Sequence, residues 1–185
     1  MSVYWVMERN GRTFDVLAQL SSLRRYARSL VRNADDAEDL VHDALLRAYE
    51  RKSTFRRGAN LRSWLLSIVH NAHIDRLRRD RSMTRRHDGA AVEMEQSLAA
   101  GQEHAVRLSQ VRDAFFRLPE EQRAALHLVA IEDMSYNEAA ATLGIPVGTL
   151  MSRISRARAQ LRDFEDKAPA ASHLRVIGGN DHDVS

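Results

Sequence analysis

The 185-residue chain contains no cysteine. That excludes disulfides and thiolate-ligated metal, and it fits a reducing cytoplasm, the expected location. Proline and glycine are scarce, at three and eight residues, so long stretches are free of helix breakers. No apolar run approaches the roughly 18 residues that a membrane-spanning helix needs. The longest early one, Val3 to Met7, is too short even for a secretory signal core, so no membrane insertion is expected. Lysine is almost missing too: Lys52 and Lys167 are the only ones.

What is present is arginine, and it is segregated. From Ala34 to Glu50 the acids Asp35, Asp36, Glu38, Asp39, Asp43 and Glu50 face only Arg47, a net charge of −5. From Arg56 to Arg86 nine arginines face Asp75 and Asp80, a net of +7, although the whole chain carries only +3. Guanidinium groups donate in a planar fork suited to phosphate and base edges. An acidic segment beside a basic one implies two partners, one basic and one polyanionic.

The periodicity is helical nearly throughout, and no stretch alternates like a strand. Helices are expected from Phe14 to Val31, Asp36 to Arg51 and Leu61 to Arg81, with a loop from Ser53 to Asn60. Met83 to Gly101 loses the apolar period and reads as a flexible linker. Helix returns at Glu103, restarts at Pro119, and recurs over Ser135 to Leu143 and Val147 to Phe164. The predicted fold class is all-α: two small helical domains, residues 10–83 and 103–166, joined by a linker over 84–102 and followed by a flexible tail over 167–185.

The segment from Met134 to Arg158 carries the sharpest signal. Ser135 and Glu138 form a capping-box pattern. Ala139, Ala140 and Leu143 permit close crossing of a second helix, and Gly144 supplies a left-handed turn residue. Val147, Leu150, Ile154 and Ala157 make a buried stripe, while Thr149, Ser152, Arg153, Ser155, Arg156 and Arg158 occupy the other face. This is the layout of a helix-turn-helix, whose second helix enters the major groove. An ordinary helical hairpin with a solvated basic face is the plainer alternative.

Several motifs together resemble the extracytoplasmic-function (ECF) sigma factors, small members of the sigma-70 family of bacterial RNA polymerase. Leu118-Pro-Glu-Glu-Gln-Arg-Ala-Ala-Leu, Tyr136-Asn-Glu-Ala-Ala and Gly148-Thr-Leu-Met-Ser-Arg-Ile-Ser-Arg-Ala-Arg are similar to the family's C-terminal DNA-binding domain. Asp36-Ala-Glu-Asp-Leu-Val-His-Asp-Ala-Leu-Leu-Arg-Ala-Tyr resembles its polymerase-binding helix, and Leu61-Arg-Ser-Trp-Leu-Leu-Ser-Ile-Val-His-Asn its minus-ten helix. The family often has glutamine at the place of His42 and lysine at that of Met151.

The resemblance implies a factor that binds core RNA polymerase, directs it to promoter DNA and helps melt it. Asp36, Asp39, Leu40, His42, Asp43, Leu46 and Tyr49 would meet polymerase. Phe55, Arg57, Asn60, Ser63, Trp64, Ser67, His70, Asn71, Arg76 and Arg79 would meet the opened minus-ten element, where bases stack on aromatic surfaces and phosphates attract arginine. Trp64 reads equally well as a core residue. Thr149, Ser152, Arg153, Arg156 and Arg158 would meet the minus-thirty-five element. An anti-sigma factor, wedged between two freely oriented domains, is the expected inhibitor.

No nucleophile–base pair, phosphate-binding glycine loop or carboxylate dyad stands out, so neither enzymatic activity nor a cofactor is expected. His70 and His73 lack a third ligand at suitable spacing, so no metal site is expected. The competing reading is a stand-alone helix-turn-helix transcriptional regulator. It would need a sensor or dimerisation domain in the N-terminal half. A recombinase would need a catalytic cluster that the sequence does not offer.

Overall fold

The computed structural model describes residues 15–56, 58–84 and 103–167. The expected linker from residue 85 onward, the tail beyond 167 and the first 14 residues lie outside the described residues. Among the described residues there are seven α-helices and no strand: α1 (Leu20–Leu30), α2 (Ala34–Glu50), α3 (Leu61–Thr84), α4 (Glu103–Arg117), α5 (Glu120–Ala130), α6 (Tyr136–Leu143) and α7 (Val147–Lys167). The first expected helix begins instead as a short 3-10 turn, Leu17–Gln19.

The N-terminal three-helix unit follows from its apolar spacing. Leu23, Tyr26, Ala27 and Leu30 recur at three- and four-residue intervals and bury one side of α1. Asn33 caps α2: its Oδ1 accepts from the backbone N–H groups of Asp35 (2.7 Å) and Asp36 (3.2 Å). That moves the helix start two residues ahead of the expected one. Asp35 and Asp36 then lie in the first turn, where the helix dipole favours negative charge. Ala37, Leu40, Val41, Ala44 and Ala48 form the buried side, and the three alanines let neighbouring helices approach closely. Across the unit, Arg47 donates to Asp75 (2.7 Å) and Arg76 to Asp36 (2.6 Å), tying α2 to α3.

In the C-terminal unit the helix-turn-helix forms as its sequence predicts. Ser135 Oγ accepts from the Glu138 N–H (3.3 Å), and the Glu138 carboxylate accepts from the Ser135 N–H (3.0 Å). Gly144 ends α6 at φ 65°, the left-handed conformation. Leu150, Ile154 and Ala157 are buried on α7, with Val147 half-buried.

α1 packs on α5, and α3 packs on α6. The consequence shows in α5, where six consecutive residues, Arg123 to Leu128, are all buried. A surface helix buries one stripe; a helix covered on opposite sides buries its whole circumference. The turn from α5 to α6 adds a second left-handed residue, Asp133 at φ 51°, and the Met134 N–H reaches back to the Leu128 carbonyl (3.1 Å). This Schellman-type closure turns Glu132 inward.

A Cβ added at Gly144 would meet nothing within 4 Å, so only the backbone opposes substitution there. Gly144→Ala should cost about 1–2 kcal/mol, and Gly144→Asn less. Urea unfolding checks this: the midpoint should fall for alanine while the slope stays constant.

Candidate polymerase and promoter interfaces

The outer face of α2 is a continuous stripe. Asp39, His42, Leu46 and Tyr49 are all exposed, and Asp43 is half-buried beside them. Leu46 at 54% and Tyr49 at 60% exposure are unusual for large apolar side chains in a folded helix. Two of the expected contacts do not belong to this stripe. Leu40 is 2% exposed and packs in the core of the N-terminal unit, so it cannot present its side chain to a partner. Asp36 is held by Arg76 at 2.6 Å. Asp43 is paired with Arg47 at 3.1 Å, which itself bridges to Asp75. That arginine's hydrogen bond holds the Asp75 carboxyl below its ordinary range.

The expected minus-ten residues divide. Phe55 and Trp64 are half-buried, with ring centroids 5.2 Å apart, and Trp64 packs against the core. The core reading of Trp64 therefore accounts for much of its surface. Asn60 Oδ1 accepts from the Ser63 N–H (3.2 Å) and caps α3. Ser67 Oγ donates back to the Trp64 carbonyl (2.7 Å). Asn71 and Arg79 are exposed on the outer surface, while Arg76 is engaged with Asp36. Arg57 lies outside the described residues.

His70 is a correction to the expected surface. Its Nδ1 lies 3.1 Å from the Tyr26 hydroxyl, and Tyr26 is fully buried with its ring 5.4 Å from that of His127. In this conformation His70 therefore faces the junction between the two units, not an outer surface. Burial, then the neighbouring His73, push its pKa down to about 4, so its imidazole is neutral and shares a hydrogen bond with the phenol. His73, 3% exposed, sits with Nε2 2.9 Å from Glu120 Oε1 of α5. Burial pushes the Glu120 carboxyl up, but the hydrogen bond and charge of His73 outweigh it and leave the group below its ordinary range. Among the described residues no cluster of three metal-ligating side chains exists.

On the helix-turn-helix, Thr149, Ser152, Arg156 and Arg158 are exposed along α7. Arg153 is not equivalent to them. It is half-buried and bound to Glu121 of α5 at 2.7 Å. A shallow cleft between the start of α5 and α7 is lined by Thr149, Ser152, Arg153, Arg156 and Glu121.

The residues that sequence reasoning missed lie at the junction. Glu132, 1% exposed, accepts from Ser22 Oγ (2.5 Å) and from Arg25 (3.0 Å), pairs with Arg62 (2.9 Å) and lies 3.3 Å from His127 Nε2. Arg62 also donates to the Glu132 backbone carbonyl. Burial raises this carboxyl, but the bonds from His127, Ser22, Arg62 and Arg25 more than offset it and hold the group ionised far below its ordinary range. Arg123 mirrors it from the other side, donating to the Ser29 (2.5 Å), Leu30 (3.0 Å) and Leu118 (3.0 Å) carbonyls. It thereby caps α1 with a side chain from α5. An acid set among Val129, Ala130, Ile131 and Met134 was the one available clue to Glu132.

Two helical units, one with an acidic-apolar stripe and one with a basic recognition helix, define a protein that joins a protein partner to DNA. The Sigma-70 region 2 family matches residues 16–83 and Sigma-70, region 4 matches residues 108–161. The chain is 40% identical over 172 residues to the ECF RNA polymerase sigma factor EcfG of Rhodopseudomonas palustris (strain TIE-1), covering 90% of this chain and 94% of that one. It is 40% identical over 139 residues to the ECF sigma factor SigM of Mycobacterium tuberculosis, covering 75% and 69% respectively. Among solved structures, the sigma factor RpoE of Bartonella quintana in complex with the anti-sigma factor NepR superposes with a TM-score of 0.73 at 33% identity, covering 83% of this chain and 96% of that one. CnrH in complex with the cytosolic domain of CnrY gives 0.60 at 28%, covering 82% and 84%. The chain belongs to the ECF RNA polymerase sigma factors, a transcription-initiation family, and a stand-alone regulator is not favoured. Among the described residues no helix is long and apolar enough to cross a membrane.

The pH dependence of stability follows from His70. Its pKa is depressed on folding, so the unfolded chain binds the extra proton between about 6.5 and 4. Stability should rise with pH through that window and flatten above it, by about 3 kcal/mol at most. The depressed Glu120 and Glu132 carboxyls add stability that is present above their unfolded pKa and lost at still lower pH. Urea titrations from pH 4.5 to 7.5 should show the slope, and His70→Gln should remove it.

Proposed function

We propose that this sigma factor binds core polymerase through the exposed stripe of α2, reads the minus-ten element with the loop and helix around Asn60 to Arg79, and reads the minus-thirty-five element with α7. The observation that carries this reading is the stripe itself: Asp39, His42, Leu46 and Tyr49 share one outer face while the opposite face is fully packed. Acidic rim and apolar centre suit a basic, partly apolar surface on a large partner. The domain limits 10–83 and 103–166 and the intervening linker are part of this proposal. So is a cytoplasmic location, where polymerase and promoter are found.

The base-reading side of α7 is Thr149, Ser152 and Arg156, with Arg158 holding phosphate. Arg153 joins them only after leaving Glu121. A protein inhibitor fits as well, since two similar proteins of known structure were solved with anti-sigma partners. Direct α1–α5 and α3–α6 packing already fills the space between the units, so such a partner would lie across them and not between them.

Asp39→Arg combined with Leu46→Glu should weaken association with core polymerase at least tenfold while leaving thermal stability and binding to duplex promoter fragments unchanged. Native affinity in the double variant would move the polymerase surface elsewhere. Arg156→Ala should cost about 1–3 kcal/mol of promoter affinity. It should also relax preference at one upstream position, measured by transcription from a randomised minus-thirty-five library with core enzyme. A uniform loss across the library would make Arg156 a phosphate contact only.

A further inference from the structure

Arg153 is the exception on the recognition helix. Arg156 and Arg158 stand exposed along α7, while Arg153 is half-buried, with its Nη2 2.7 Å from Glu121 Oε2. The acid comes from another helix of the same unit. α5 starts after Pro119 with Glu120 and Glu121 in its first turn, where the helix dipole favours negative charge. Adjacent residues diverge by about 100° around a helix, so the two acids serve different neighbours. Glu120 turns to His73 of α3 at 2.9 Å, and Glu121 turns to α7, which packs along α5. Glu121 thus stands in the cleft with Thr149, Ser152, Arg153 and Arg156, on the side of α7 assigned above to the promoter.

The fold does not need an acid there. The Glu121 side chain is 69% exposed, and an ion pair so open to water adds little to stability. Toward DNA the same carboxylate is adverse, because it repels phosphates and withdraws a guanidinium from them. If Arg153 turns to a phosphate, it neutralises one anion and leaves another, Glu121, bare beside the duplex. That exchange has little net electrostatic gain, whereas an arginine with no acid opposite releases about one counterion from the duplex. Arg153 is therefore nearly silent toward duplex of any sequence while Glu121 stands opposite.

We propose that Glu121 is an affinity-setting residue: it competes with DNA for Arg153 and so holds down the grip of α7 on duplex, promoter or not. The proposal rests on the reading of α7 as the minus-thirty-five helix. Glu121 acts through Arg153, so removing the acid must create a phosphate contact that belongs to Arg153. An acid acting only by its own repulsion would weaken binding without suppressing any such contact. A pair that only held the fold would change melting and nothing at the DNA.

The test uses the full chain with core polymerase and two labelled duplexes, one with the minus-thirty-five element intact and one with that element scrambled. Affinity is measured over a range of salt for the unaltered chain, Glu121→Ala, Arg153→Ala and the double variant. Glu121→Ala should bind both duplexes about two- to fivefold more tightly. It should also steepen the fall of log affinity with log salt by about one. On the scrambled duplex, each upstream phosphate is then replaced in turn by a neutral methylphosphonate. Glu121→Ala should make one further phosphate matter, and the double variant should lose that sensitivity again. The unaltered chain and Arg153→Ala should give the same phosphate profile. Affinity that does not rise in Glu121→Ala overturns the proposal, and so does tighter binding with no new phosphate. Profiles in which no upstream phosphate matters to any of the four proteins would strike the reading of α7 instead.

Discussion

One buried carboxylate ties the two helical units of this molecule together. Glu132 is placed by a left-handed turn at Asp133, and it collects donors from α1, α3 and α5 at once. Burying a charge is costly unless its hydrogen-bonding capacity is filled, and here it is filled from both units. Neither unit alone supplies enough donors. The burial of α5 from Arg123 to Leu128 goes with that sharing.

The helices and the helix-turn-helix were legible because their signals are local. Capping by Ser135 with Glu138, the turn at Gly144 and the stripe of Leu150, Ile154 and Ala157 lie within a few residues of one another. The outer stripe of α2 was legible for the same reason, apart from Leu40, which the motif included and the helix phase places inside. What was not legible is contact between segments a hundred residues apart. Ser22 with Glu132, or Arg123 with the end of α1, leaves no periodic trace. His70 and Arg153 look free on their own helices, and only the neighbouring helices show that Tyr26 of α1 engages the first and Glu121 of α5 the second. Linker composition reports on the linker, not on complementarity between the bodies it joins, so the α1–α5 and α3–α6 contacts leave no trace in it.

Sigma function asks opposite things of such a chain. On the polymerase it must stretch along the promoter, with phosphate and base contacts at two distant elements. Away from the polymerase, a basic α3 and a basic α7 left open would bind any duplex through counterion release. The α1–α5 and α3–α6 junction lies against α3 and leaves the basic face of α7 exposed. The α2 stripe is exposed as well, and on the proposed reading it is where polymerase binds. Charge segregation in the sequence then has a physical reading: in the proposed roles, the acidic face of α2 meets the protein partner and the basic faces of α3 and α7 meet DNA.

The most direct measurement locks the junction covalently. Cysteines at Ser21 and Asp133, exposed neighbours of Ser22 and Glu132, can be bridged by a short bis-maleimide in an otherwise cysteine-free chain. The bridged protein should keep its helical content yet form no open promoter complex with core polymerase, while the same protein capped with a monofunctional maleimide transcribes normally. Transcription by the bridged protein at the level of the capped one would contradict the proposed reading, in which α3 and α7 reach two distant promoter elements at once.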